Sequence, residues 1–243
     1  MNKYKSLYLW MIVPLVVMQL GIFMDYWGDL TENAWAVHVH YWIGTAWYVF
    51  LIIQPYFVTH GQIERHRTVG MIGLFLAGGV CLSALSMMHR DIVSAERSAV
   101  EIERFAPFEP WFFYGVIVVE IVMMVAFGFA VIKSVLHRKE IENHSWWLIS
   151  SAFLIMMPAL GRGMGFLWGV CNLPGFQTFG LMISGYVTQL IIISLLLAAA
   201  WKFGTLRHPA TYLALGVNLF IFLLEPIGRT QAVQVFLHSF ITG

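Results

Sequence analysis

Residues 111–134 read WFFYGVIVVEIVMMVAFGFAVIKS, a run whose only charges are Glu120 and Lys133. About 20 consecutive apolar residues are needed for a helix to cross a hydrocarbon layer about 30 Å thick. The run meets that length and reads as a membrane span. Six more runs of this kind lie at about 7–25, 36–58, 69–88, 146–168, 178–201 and 210–236. Together the seven use most of the 243 residues, so no separate soluble domain remains. The composition agrees, with 59% hydrophobic and 11% charged residues and a mean hydropathy of +0.75. The expected fold is all-α: a polytopic integral membrane protein, one seven-transmembrane-helix bundle over 1–243.

Charge placement orients this bundle. With seven spans, Lys3, Lys5, Arg65, Arg67, Lys133, Arg138, Lys139, Lys202 and Arg207 fall on one side, against Arg90, Arg97 and Arg104 on the other. The positive-inside rule puts the N-terminus in the cytoplasm and the C-terminus outside. The outer segments carry acid instead: Asp25, Asp29, Glu32, Asp91, Glu96, Glu101, Glu103 and Glu109. A bacterial inner membrane is the expected location. The first run resembles a signal peptide only in its leading lysines. It lacks a small-residue cleavage site and reads as the first span.

Loop 89–110 is the longest connection, with a short amphipathic helix expected over Ala95–Phe105 and stopped by Pro107 and Pro110. Most tryptophans lie near predicted helix ends, including Trp10, Trp47, Trp111, Trp146 and Trp201, and read as an interfacial belt. Cys81 and Cys171 are too few for a disulfide framework, although both fall toward the outer side, where a bond between them is open to them.

Five polar residues within the spans point to function: His40, Glu120, Arg162, Glu225 and Arg229. A charge at the bilayer centre costs roughly 2.5–3.5 kcal/mol on insertion scales, so such groups face a protein interior. His38 and His40 open the second span and His89 closes the third. Residues two apart on a helix point about 200° from each other, so one of the pair, taken as His40, faces inward. His40 and His89, with His38 in reserve, then read as metal or haem ligands. Glu225 and Arg229 share one helix face. Pro158 and Pro226 predict interrupted helices around them. Arg162 and Arg229 suit an anion or a haem propionate, and Glu120 and Glu225 suit proton transfer. The plainer reading is a self-satisfying ion-pair network of Glu120, Arg162, Glu225 and Arg229.

The inner side offers an alternative metal site, His66, His137 and His144, which would suit a zinc-dependent hydrolase with an open water position. The segments Glu64–Gly70 and Glu142–Trp147 look alike, each with an acid and then a His at a helix start. This suggests two equivalent hairpins; capping and interfacial anchoring explain them equally. Met87-Met88-His89 would suit copper. No phosphate-cradling Gly-Lys-Ser/Thr loop, Gly-x-Ser-x-Gly elbow or His-Glu-x-x-His appears. The seventh span has no lysine for a retinal Schiff base, and nothing suggests nucleic acid.

The pattern His40-x-x-x-Gly44, Trp47, Gln54, Gly61, His66-Arg67-x-x-Gly70 resembles uncharacterised bacterial predicted-membrane-protein families, domains of unknown function. His144-x-x-x-Leu148, Pro158-Ala159-x-Gly161-Arg162 and Pro226-x-x-Arg229 extend the resemblance over residues 36–232. More distantly, histidines on adjacent helices look like the b-type cytochrome membrane reductases, which hold haem between paired histidines. This chain departs from them in lacking two clean His pairs at matching depths. The expectation is therefore a haem- or metal-binding membrane protein (haem b, Fe, Cu or Zn) serving electron transfer, a membrane oxidoreductase with a quinone or another small hydrophobic ligand. The alternative is a non-enzymatic subunit, assembly factor, transporter or receptor, partnered by a membrane-protein complex or a homo-oligomer in the bilayer.

Overall fold

The computed structural model describes residues 4–28, 30–170 and 182–242. Among the described residues every regular element is helical. The chain opens with α1 (Leu7–Trp10) and α2 (Ile12–Gly21), then a wide π-type turn over Phe23–Trp27 and a tight turn over Leu30–Glu32. There follow α3 (Trp35–Thr59), α4 (Ile63–Val100), α5 (Ile102–Phe105), α6 (Pro110–Leu136), α7 (Ile141–Leu154) and α8 (Met157–Val170). The rest is α9 (Met182–Lys202), α10 (Pro209–Phe220), a 3₁₀ turn at Ile221–Leu223, α11 (Leu224–Gly228) and α12 (Gln231–Thr242).

Six of these units are long and apolar enough to cross a membrane: α3, α4, α6, α7 with α8, α9, and α10 with α11. The N-terminal apolar segment Leu7–Gly21 is shorter and is interrupted at Met11. Large apolar side chains such as Phe75, Leu82 and Val125 face outward, as lipid contact requires. The protein is a multi-pass helical membrane protein. Residues 178–181 of the sixth predicted span, and Cys171 with its suggested bond, lie outside the described residues.

Local chemistry sets the helix ends. α3 closes in a Schellman turn: Gly61 takes φ +72°, the Gln62 N–H reaches the Phe57 carbonyl at 2.8 Å, and the Gly61 N–H reaches Val58. A left-handed residue at that position favours glycine. α9 ends the same way at Gly204. Pro110 and Pro209 open α6 and α10, where a missing N–H costs nothing. Proline inside a helix removes a donor, and its ring collides with the carbonyl four residues back. For Pro158 that carbonyl belongs to Leu154, where α7 stops. For Pro226 it belongs to Phe222, inside the 3₁₀ turn. Both expected interruptions are present.

The antiparallel order gathers connections 60–62, 137–140 and 203–208 at one end, which is rich in cations. Segments 22–28, 30–34, 101–109 and 229–230 gather at the other, which is rich in acids.

Three expectations are corrected. Residues 89–100 are not a loop, because α4 continues without a break for 38 residues, about 57 Å at 1.5 Å per residue. The continuation packs Met88, Ile92 and Ala95 against Tyr114, Ile117 and Leu237 in a small core of its own. The last span ends at Gly228 rather than near 236. Residues 231–242 form α12, which lies against α4 and α6 and places His238 Nε2 2.8 Å from Glu96 Oε1. Trp47 and Trp146 are not belt residues. Both are fully buried, and their N–H groups donate to Ser151 Oγ (3.1 Å) and Thr211 Oγ1 (2.7 Å).

Candidate functional site: a charged cluster and a basic cavity

At the acidic end, backbone contact between α2 and α8 comes first. A Cβ on Gly163 would meet the backbone of Gly21, and a Cβ on Gly21 would meet the backbone of Ala159 and Leu160. Only glycine at both positions allows this approach. It brings Asp25, one turn beyond Gly21, to Arg162, next to Gly163. Their charged atoms lie 3.3 Å apart. The Tyr41 hydroxyl donates to the same Asp25 oxygen at 2.5 Å. Asp25 and Arg162 are each about one-third exposed (38% and 34%), so water weakens this pair.

Behind the pair lies a cavity of about 70 Å³, bordered by His40, Tyr41, Tyr48, Ser83, Glu120 and Arg162. Glu120 is 7% exposed, and its Oε2 has no hydrogen-bond partner. Asp91, 9% exposed, lies within electrostatic reach of Arg162, and Glu120 feels both. His40 Nδ1 lies 3.2 Å from Ser83 Oγ, whose own hydroxyl donates to the Val80 carbonyl. The Nδ1 therefore carries the proton and donates to Ser83, leaving Nε2 as an acceptor. Three carboxylates thus gather around the Arg162 guanidinium, beside an imidazole with a free lone pair.

The other expected outer residues go elsewhere. His89 is exposed on α4 and does not meet His40. His40 contacts α4 at Ser83, almost two turns nearer the bilayer interior. His38 pairs with the Tyr26 hydroxyl at 2.9 Å. Glu225 and Arg229 pair with each other at 2.9 Å, and Arg229 also reaches Glu109 at 3.8 Å and lies over the Trp111 ring. The single network of Glu120, Arg162, Glu225 and Arg229 expected from sequence is thus two separate clusters.

Asp25, Tyr41 and Asp91 were missing from the sequence-based site. Asp91 had a legible signal: Ser83, Met87 and Asp91 repeat every four residues and so share one helix face. The assumption of a loop after His89 hid it.

At the cation-rich end a larger cavity, about 680 Å³, opens between the α3–α4 hairpin and the α6–α7 hairpin. His66 and His144 meet there with ring centroids 6.0 Å apart. His144 Nδ1 donates to the Ser134 carbonyl at 2.9 Å. His137, the third expected inner ligand, instead donates to the Lys133 carbonyl at 2.8 Å and does not line this cavity. Outside it, His208 caps α10 by accepting the Ala210 N–H and lies 2.8 Å from Asn143 Oδ1. Burial holds its pKa below the ordinary histidine value, against the opposing charge of Glu142.

The cavity at the acidic end has no room for a haem. The histidines at the acidic end do not face one another, and about 70 Å³ falls far below the roughly 300–1,000 Å³ of a typical ligand pocket. Among the described residues no group of three or more His, Cys, Asp or Glu converges as a metal-ligand set. Comparison with protein-family models, curated proteins and solved structures finds no match to this chain.

Proposed function

We propose that this is a seven-span membrane protein that exchanges protons through the cluster at its acidic, outer end, as part of a transport cycle. The first span is α1 and α2 prolonged by the π-type turn, residues 7–27, which is long enough to cross. The N-terminus is then cytoplasmic and the C-terminus outside, in a bacterial inner membrane.

The observation that carries this reading is the buried, unpartnered Glu120 oxygen in a cavity shared with His40 and Arg162. Buried charge is costly unless paired, so intramembrane carboxylates mark proton relays and ion pathways. A cavity of about 70 Å³ exceeds the roughly 10–15 Å³ that admits a water but has no room for a quinone ring. Its size therefore favours transport over the redox reading. Glu120 takes up and releases the proton, and His40 Nε2 receives it through water. Arg162, braced by Asp25, offsets whichever carboxylate is ionised. Tyr41 holds Asp25 in place.

The test is proton flux into liposomes carrying an internal pH-sensitive dye, driven by a potassium diffusion potential. Wild-type protein is expected to pass protons faster than empty liposomes. Glu120→Gln is expected to fall to the empty-liposome rate, and Glu225→Gln to keep the wild-type rate. Unchanged flux in Glu120→Gln, or wild-type flux no faster than the blank, would overturn the reading.

A further inference from the structure

The motif Trp47, Gln54, Gly61, His66-Arg67-x-x-Gly70 finds no role in proton exchange, yet the fold draws it together. Gly61 makes the turn that folds α4 back on α3, and Trp47, Gln54, His66, Arg67 and Gly70 all border the cavity of about 680 Å³. α6 and α7 complete it, adding Arg138 and Lys139 at the mouth.

Its chemistry is one-sided. Arg67, Arg138 and Lys139 are exposed at the rim, and none is ion-paired among the described residues. Among the described residues no Asp or Glu borders the cavity. Further in, Gln54 is 2% exposed, and its Nε2 donor has no partner. His66 Nδ1 is likewise buried and unpartnered. A buried amide donor without a partner is costly, and an acceptor brought by a ligand recovers that cost. Beside these groups the wall is apolar, with Phe50, Leu74 and Val131.

We propose that this cavity binds one anionic phospholipid. The phosphate sits among Arg67, Arg138 and Lys139, a head-group oxygen accepts from Gln54 Nε2, and the first acyl carbons lie along Phe50, Leu74 and Val131. Two observations select a lipid over a free anion. The apolar wall has no use for inorganic phosphate, and the cavity is only partly enclosed, with the lining residues Met71 and Leu74 themselves exposed, so a chain can leave it for the bilayer. Basic pockets between membrane helices recognise acidic head groups by this charge complementarity. The site is independent of Glu120 and its proton.

The test is native mass spectrometry of the detergent-purified full chain, titrated with phosphatidylglycerol or with phosphatidylcholine of the same chains. A distinct preference for one bound phosphatidylglycerol is expected. Each Lys or Arg near an acidic membrane surface contributes about fivefold, so the triple variant Arg67→Gln, Arg138→Gln, Lys139→Gln should lose about a hundredfold. The three residues are exposed, and the melting temperature should stay unchanged. Gln54→Leu, which keeps the bulk and removes the donor, is expected to weaken retention several-fold with all three cations present. Equal retention of the two lipids, or an undiminished preference in the triple variant, would overturn the proposal. So would displacement by millimolar inorganic phosphate as effective as that by added phosphatidylglycerol, which would assign the site to a soluble anion.

Discussion

The two ends of this bundle solve the problem of polar groups in a membrane in opposite ways. At the acidic end the charges are internal. Glu120 and Arg162 border a cavity of about 70 Å³, Asp25 and Asp91 lie within electrostatic reach of the same guanidinium, Tyr41 donates to Asp25, and Ser83 pairs with His40. At the other end the charges stand at the rim of about 680 Å³, and all of them are positive or imidazole. The first arrangement pairs opposite charges and leaves the buried Glu120 Oε2 without a partner. The second leaves its rim cations without ion pairs among the described residues and Gln54 Nε2 without an acceptor. His40 and Gln54 lie fourteen residues apart on α3, about 21 Å at 1.5 Å per residue. Between them Trp47, Tyr48 and Leu51 are fully buried and keep the two places apart. Compact, opposite-charge clusters suit proton movement, whereas a wide, single-sign cavity suits a charged ligand.

The strongest challenge to this contrast is a crossed measurement. Glu120→Gln is expected to abolish proton flux and leave phosphatidylglycerol retention intact. The triple variant at the rim is expected to do the reverse. Loss of both properties in either variant would mean that the ends form one site.

Trp47 tests the partition between them. Its side chain is fully buried, stacks on Phe50 and meets Phe127 edge-on. Trp47→Ala is expected to cost roughly 3–5 kcal/mol of stability. The melting temperature in detergent measures this, and a change of a few tenths of a kcal/mol would show that the partition is loosely packed.

The close approach of α2 and α8 gives a smaller effect and an internal control. Gly163→Ala is expected to cost about 1–3 kcal/mol, because the new methyl meets the Gly21 backbone. It should also lower proton flux by drawing Arg162 away from Asp25. Gly161→Ala, two residues away with open space around it, is expected to melt as wild type. Equal melting of the two variants would remove the close approach as the support of this cluster.

The least effect belongs to Arg229. It is 50% exposed, and its partners Glu225 and Glu109 are 35% and 62% exposed. Arg229→Ala is expected to change stability by no more than about 1 kcal/mol and to leave flux unchanged. A marked loss of flux would join this surface cluster to the proton site.

Much of this organisation was legible in the chain. Length and hydropathy identify the long apolar helices, since spanning about 30 Å of hydrocarbon leaves little freedom. Pro158 and Pro226 mark their own interruptions, because a missing donor and a ring clash act within one helix. The expected face-sharing of Glu225 and Arg229 likewise needs only helix geometry. The Trp47-to-Gly70 part of the pattern keeps to one hairpin, so its members meet without help from distant chain, whereas His40 and Gly44 border the other cavity. The extension of α4 to Val100 was not legible, because its charged outer turns look like a loop until Tyr114 and Leu237 cover Ile92 and Ala95.

Sequence by itself determined the helical class, six long apolar helices, the two interruptions and the separation of acidic from basic ends. All are properties of single helices or of nearest neighbours in the chain. Only the tertiary structure decided which charges share a cavity. His40 met Ser83 rather than His89, Arg162 met Asp25, and Arg229 reached Glu109 as well as its helix neighbour Glu225. Those choices depend on the relative depth and rotation of packed helices, which for Arg162 and Asp25 the Gly21–Gly163 contact sets and a list of polar residues does not encode.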